Sequence, residues 1–274
     1  MIFIFTVILI SSYVSLISAD YSYKNADKWA NENPQCGGLL QSPIDVSFDF
    51  GPEIDTIKFE NGADSVAERM ILENDGHTLK LSFQWPNDPE TVPYVRGGSL
   101  DGEYIKHSYQ FRWGSDIKNG SEHQLDGKSY AMEMQVVNYN RKFGSYEEAE
   151  GSENGLVLYS LFYKLGEKEF GLLTKIIEKL PEVSEPGTST DIKPFALSDF
   201  FDQNEFHRYI IYSGSLTHPP CTESIPWIIS DRIIEVTEEQ VRAFQNLNLL
   251  NNDDHNTRPL QPINGRKAKF ATKS

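Results

Sequence analysis

A protein that activates water through a metal gathers imidazole, thiolate or carboxylate groups at short spacings such as HxH or HExxH. The six histidines of this sequence, His77, His107, His123, His207, His218 and His255, form neither pattern. Read singly, histidines at such spacings are surface groups or hydrogen-bonded core groups. Cys36 and Cys221 are the only cysteines. Neither has a recognisable nucleophile setting. An even count in an exported chain suggests one disulfide, with two buried free thiols as the alternative. Asn119-Gly120-Ser121 is an N-glycosylation sequon in a polar, loop-like stretch.

Positioning such groups is the task of strands. Period-2 alternation predicts strands over Thr78–Trp85, Ser108–Trp113 and Ala131–Tyr139, and Leu156–Tyr163 and Tyr209–Leu216 are also strand-like. In Ser108–Trp113, Tyr109, Phe111 and Trp113 share one face, and Ser108, Gln110 and Arg112 the other. In Ala131–Tyr139, Met132, Met134 and Val136 lie opposite Glu133, Gln135 and Val137. Helical spacing appears over Phe170–Leu180. Thr237 to Gln240 reads as a capping box opening a second helix. Pro181–Pro194 reads as a Ser/Thr/Pro/Glu-rich connection. No shift in composition divides the chain after residue 20. The expectation is one mainly-β domain over residues 20–274, with a few short helices.

Residues 1–19 carry no charged side chain, and Ile2–Ile10 is nearly all apolar. The segment ends in Ile17-Ser18-Ala19, a small-residue ending suited to signal cleavage, with a retained anchor as the rival reading. No later stretch is apolar enough to span a bilayer, so a secreted, extracellular protein is expected. Forty acidic against 25 basic residues give a net charge of −15. That balance argues against nucleic acid or an anionic membrane as partner. Five basic residues and no acidic ones lie between Arg258 and Ser274, a solvated tail or a contact for an acidic glycan.

Five ordered segments resemble the alpha-class carbonic anhydrases: Gln41-Ser-Pro-Ile-Asp45, Asn74-Asp-Gly-His77, Trp113-Gly-Ser115 followed by Gly120-Ser-Glu-His123, Gly214-Ser-Leu-Thr217 with Pro219-Pro220 and then Trp227, and Arg258-Pro-Leu-Gln-Pro-Ile-Asn-Gly-Arg266. The resemblance covers about residues 29–266. It implies a single domain around a large, twisted, mostly antiparallel sheet. It places Cys36 and Cys221 where extracellular members carry their disulfide. It makes His77 the proton shuttle, Thr217 the residue that orients a zinc-bound hydroxide, Glu122 the acceptor of its hydrogen bond, and Glu133 a carboxylate behind the third ligand. Leu216, His218 and Trp227 take pocket positions.

The sequence departs from the family at the metal. Family enzymes hold zinc with three histidines, two at alternate positions of one strand and one on its neighbour. The matching positions here are Gln110, Arg112 and Gln135. An amide oxygen is a weak zinc donor beside imidazole, and arginine, always protonated, offers only donors. The resemblance therefore implies an inactive, carbonic-anhydrase-related protein without zinc, a binding or matrix module for an extracellular protein or glycan. The alternative is CO2 hydration through a non-standard metal site. His107 lies three residues before Gln110, which strict alternation would put on the opposite face. Arg112 at the matching depth needs a counter-charge, expected from Glu133 or a nearby carboxylate; an anion receptor is the other reading. Monomer and dimer are not distinguished.

Overall fold

Alternating apolar and polar side chains build most of the molecule. The computed structural model describes residues 21–47, 52–61, 65–86, 88, 90–196, 198 and 208–272; the expected export segment and His207 lie outside them. The strands among these residues are β1 (Asp45–Val46), β2 (Ile57–Glu60), β3 (Arg69–Asn74), β4 (Leu79–Gln84), β5 (Tyr94–Gly97), β6 (Tyr104–Trp113), β7 (Gln124–Leu125), β8 (Met132–Asn140), β9 (Leu156–Leu165), β10 (Thr188–Ile192), β11 (Arg208–Ser215), β12 (Glu223–Val236) and β13 (Lys269–Thr272). Eleven of them form one sheet in the order β10-β3-β4-β6-β8-β9-β12-β11-β13, with β2 and β5 joined through β6. Its pairings are antiparallel except β9 with β12, and β1 and β7 form a separate parallel pair.

The two faces of the sheet bury different sets. Tyr109, Phe111 and Trp113 of β6 and Met132, Met134 and Val136 of β8 belong to the larger apolar cluster. Helix α4 (Glu238–Gln245) closes over it, Phe244 meeting the Phe111 ring at 5.2 Å. The Thr237 capping box forms as expected. Helix α3 (Gly171–Ile177) buries Leu172, Leu173 and Ile176 in the same cluster. On the other face, Val137, Leu158, Phe162, Tyr212, Leu216 and Trp227 pack in the second cluster. A third, of Tyr21, Tyr23, Ala26, Trp29 and the disulfide Cys36–Cys221, secures the N-terminal segment.

Two expectations need correction, and one strand went unread. Pro181–Pro194 is not all connection, since β10 adds a strand to the free edge of β3. Its β-branched Thr188, Thr190 and Ile192 outweigh the turn-like composition around them. The longest strand, β12, gave no clean alternation, because Pro226 and the polar Ser230-Asp231-Arg232 interrupt it and its register with β9 shifts between Ile229 and Ile233. In β6 the alternation breaks between Lys106 and Ser108, where the register with β8 shifts. His107 is the extra residue of that bulge, so counting from Gln110 does not fix its direction.

Candidate functional site

Register brings together Gln110, Arg112 and Gln135, the three positions that the resemblance matches to metal ligands. Gln110 pairs with Gln135, and Arg112 with Glu133, across β6 and β8. Directly opposed residues of an antiparallel pair point to one side of the sheet. All four side chains therefore meet on the face opposite the large cluster. Two backbone turns supply the rest. The chain between Gly114 and Gly120 folds back so tightly that a Cβ at either glycine would lie 2.1 Å from a carbonyl oxygen. That return delivers Glu122 and His123. Asn74 and Asp75 hold the second turn: the Asn74 side chain accepts from the Gly76 amide, and Asp75 Oδ1 accepts from the His77 and Thr78 amides at 2.8 Å. Gly76 takes φ +94°, and His77 is presented beside the site.

Arg112 is the centre of the arrangement and is 1% exposed. Its Nε donates to Gln135 Oε1 at 3.1 Å, one terminal nitrogen to Gln110 Oε1 at 3.1 Å, and the other to the Tyr23 hydroxyl at 2.8 Å. Its counter-charge is Glu122, with Oε2 3.4 Å from Nε. Burial alone would lower the Arg112 pKa, but neighbouring Tyr23 and Glu122 more than offset it, so the guanidinium stays charged. Glu122 Oε2 also accepts from the Gln135 amide at 2.6 Å, and Oε1 from the Arg258 backbone N–H at 2.9 Å. Burial raises the Glu122 pKa, and Arg112 opposes that rise.

Glu122 is thus the nearby carboxylate that the expectation allowed, and Glu133, the other one, is otherwise engaged. It accepts from the backbone amides of Glu122 and His123, from His123 Nδ1 at 2.9 Å, from Ser160 Oγ at 2.6 Å and from the Gln135 amide at 3.1 Å. Burial would raise its pKa, but His123 and these hydrogen bonds bring it down to about 2. The nearer donors saturate Glu133, which leaves Glu122 for the guanidinium. His123 Nε2 meets the Tyr212 hydroxyl at 2.6 Å, and Tyr212 meets Ser42 Oγ at 2.7 Å.

The remaining expected positions gather around this network. Thr217 is buried beside Glu122 and lowers its pKa, though without a hydrogen bond of good geometry. Leu216 and Trp227 are buried in the second cluster, and the Trp227 indole donates to Ser215 O at 2.8 Å. His77 stacks on Tyr21 at 3.8 Å between ring centres. His218, in parallel with Tyr21 at 6.3 Å, has its pKa brought down to about 4 by burial and by Arg112. Asn119 is exposed, its amide donating to Asp116 at 2.6 Å. Cys36 and Cys221 are bonded, with Cα atoms 4.9 Å apart. Sequence reasoning missed Tyr21 and Tyr23, because nothing in a short aromatic pair far upstream announces contact with β6. It also missed Asn256, which accepts from the Trp113 amide and donates to Phe111 O, both at 2.8 Å.

Zinc does not fit this donor set. The two amide oxygens that could ligate already accept from Arg112, and the third position carries a fixed positive charge. Among the described residues, no three His, Cys, Asp or Glu side chains meet as a group that could hold a metal ion.

A large, mostly antiparallel sheet that converges three side chains from adjacent strands beside Glu122 and Thr217 is the frame of a carbonic anhydrase. The chain belongs to the eukaryotic-type carbonic anhydrase family, whose description matches residues 24–271. It is 31% identical over 255 residues to carbonic anhydrase 6 of Mus musculus, covering 89% of this chain and 76% of the relative. It is 33% identical over 250 residues to carbonic anhydrase 6 of Canis lupus familiaris (87% and 74%). It is also 32% identical over 241 residues to mitochondrial carbonic anhydrase 5A of Homo sapiens (84% and 76%).

Proposed function

We propose that this chain is a secreted member of its family that does not hydrate CO2, and that it serves as an extracellular binding or matrix module. One observation carries the reading: a guanidinium fills the space where Gln110, Arg112 and Gln135 converge, and both glutamine oxygens accept from it. Family enzymes need a metal with an open position there, whose bound water ionises near neutral pH. With no such water, Thr217 has no hydroxide to orient, and His77 has no proton to relay. Glu122 takes a structural task instead, as the counter-charge of Arg112.

Residues 1–19 direct export in this reading, and residues 20–274 are the secreted domain. The Cys36–Cys221 disulfide and the exposed sequon at Asn119 support it. No helix among the described residues is long and apolar enough to cross a membrane. The partner is an extracellular protein or glycan. Expression in a secretory host tests export directly: the mature protein should begin at Asp20 and carry a glycan at Asn119. Retention of residues 1–19 would make the segment an anchor. Binding to extracellular material, with no zinc and no CO2 hydration, is the functional outcome expected.

A further inference from the structure

At the opposite end of β6 from Arg112 lies a second, unrelated site. A cavity of about 350 Å³ opens at the bulge, lined by Phe83, Trp85, Lys106, His107, Tyr139 and Tyr146 among others. That volume is within the range of small-molecule pockets, roughly 300–1,000 Å³. The rings of Phe83, Trp85, Tyr139 and Tyr146 form part of its wall, and its polar groups are incompletely matched. The Lys106 ammonium lies 5.7 Å from the centre of the Tyr109 ring, and no carboxylate of the described residues pairs with it. His107 stacks on Tyr146 at 4.2 Å, and its Nε2 is buried without a hydrogen-bond partner. The other charges nearby are accounted for. Arg141 pairs with Glu103 at 2.7 Å and lies over the Tyr94 ring. Glu147 lines the cavity and, with Lys80, acts on His107.

A cation without a counter-ion beside aromatic walls suits an anion with a flat apolar body. We propose that this cavity binds a small aromatic carboxylate, its ring among Phe83, Trp85 and Tyr139 and its carboxylate on Lys106. The negative charge of Glu147 sets the ligand's orientation, keeping its carboxylate toward the lysine. Burial adds a pH signature. It lowers the Lys106 pKa to about 7, so the free amine is partly unprotonated near neutrality. A bound carboxylate favours the charged form, so binding takes up a proton and weakens as pH rises. His107, held at about 4 by burial and by Lys80, stays neutral throughout.

Benzoate and its neutral isostere benzamide test this by calorimetry on the glycosylated, disulfide-bonded protein. Benzoate should bind with a Kd of about 1 mM or tighter, benzamide at least ~10-fold more weakly, and benzoate affinity should fall between about pH 6 and pH 9. Lys106→Met should weaken benzoate at least ~10-fold, whereas Lys80→Met should change it less than about threefold. Equal binding of the two probes, no saturation by about 10 mM, or unchanged benzoate binding in Lys106→Met would overturn the proposal. So would a loss confined to Lys80→Met. The benzoate preference and its pH dependence are read on the unsubstituted chain, so the test stands even if Lys106→Met fails to fold.

Discussion

Arg112 is a buried cation whose hydrogen bonds are met by two amides and a phenol, and whose charge is met by one carboxylate. Removing one partner of a buried pair leaves the other charge uncompensated. Arg112→Met should therefore lower unfolding stability by about 3 kcal/mol near neutral pH in denaturant titrations. The sign of its pH dependence follows from Glu122. Burial already raises that carboxyl, and losing Arg112 raises it further. A raised acid contributes stability that is present below its unfolded pKa and lost as pH rises through its folded one. The penalty of Arg112→Met should thus be smaller at about pH 5 than at about pH 7. A pH-independent penalty would show that Glu122 is not the counter-charge. Glu133 behaves oppositely, being held at about 2. Its contribution is present above the ordinary carboxylate range and is lost as pH falls toward that value. Glu133→Gln replaces an acceptor oxygen with a donor beside two backbone amides and the Gln135 amide nitrogen, which can only donate, and should cost about 2–4 kcal/mol at neutral pH.

The elements explain why some of this was legible in the sequence and some not. Strands β4, β6 and β8 declare themselves by alternation of apolar and polar residues, and β9 and β11 by short apolar runs buried on both faces. The absence of imidazole at positions 110, 112 and 135 is equally plain, since ligand chemistry depends on residue type. The identity of the counter-charge was not. Glu122 and Glu133 are both near, and only the backbone return between Gly114 and Gly120, with the donors around Glu133, assigns Arg112 to the first. Edge strand β10 and the bulges in β6 and β12 follow from tertiary pairing, which overrides local composition. Asn256 shows the same dependence: it ties the C-terminal segment to the end of β6 by bonds to Phe111 and Trp113. Asn256→Ala should cost about 1–3 kcal/mol by leaving the buried Trp113 amide unpaired, Phe111 O keeping the Thr78 hydroxyl; a loss under about 0.5 kcal/mol would show that the amide is satisfied otherwise.

Across the whole molecule, distant segments meet at one disulfide and one arginine. Cys36 and Cys221 are separated by 185 residues. Closing a loop of that length contributes roughly 5 kcal/mol on the chain-entropy estimate. Arg258 joins the same region, donating to Gln41 Oε1, Ser42 O and Cys36 O. These ties hold the N-terminal segment, and with it Tyr23, against Arg112. Replacing both cysteines by serine should lower the melting temperature and make the Tyr23 contact labile, seen as faster hydrogen exchange at residues 21–29. Unchanged exchange there would mean that the aromatic cluster holds the segment unaided. The central claim concerns the metal, and one measurement addresses it most directly: zinc content and CO2 hydration of the purified mature protein after incubation with excess zinc and desalting. The account predicts no retained zinc and no hydration above the uncatalysed rate. Near-stoichiometric zinc together with catalysed hydration would contradict it.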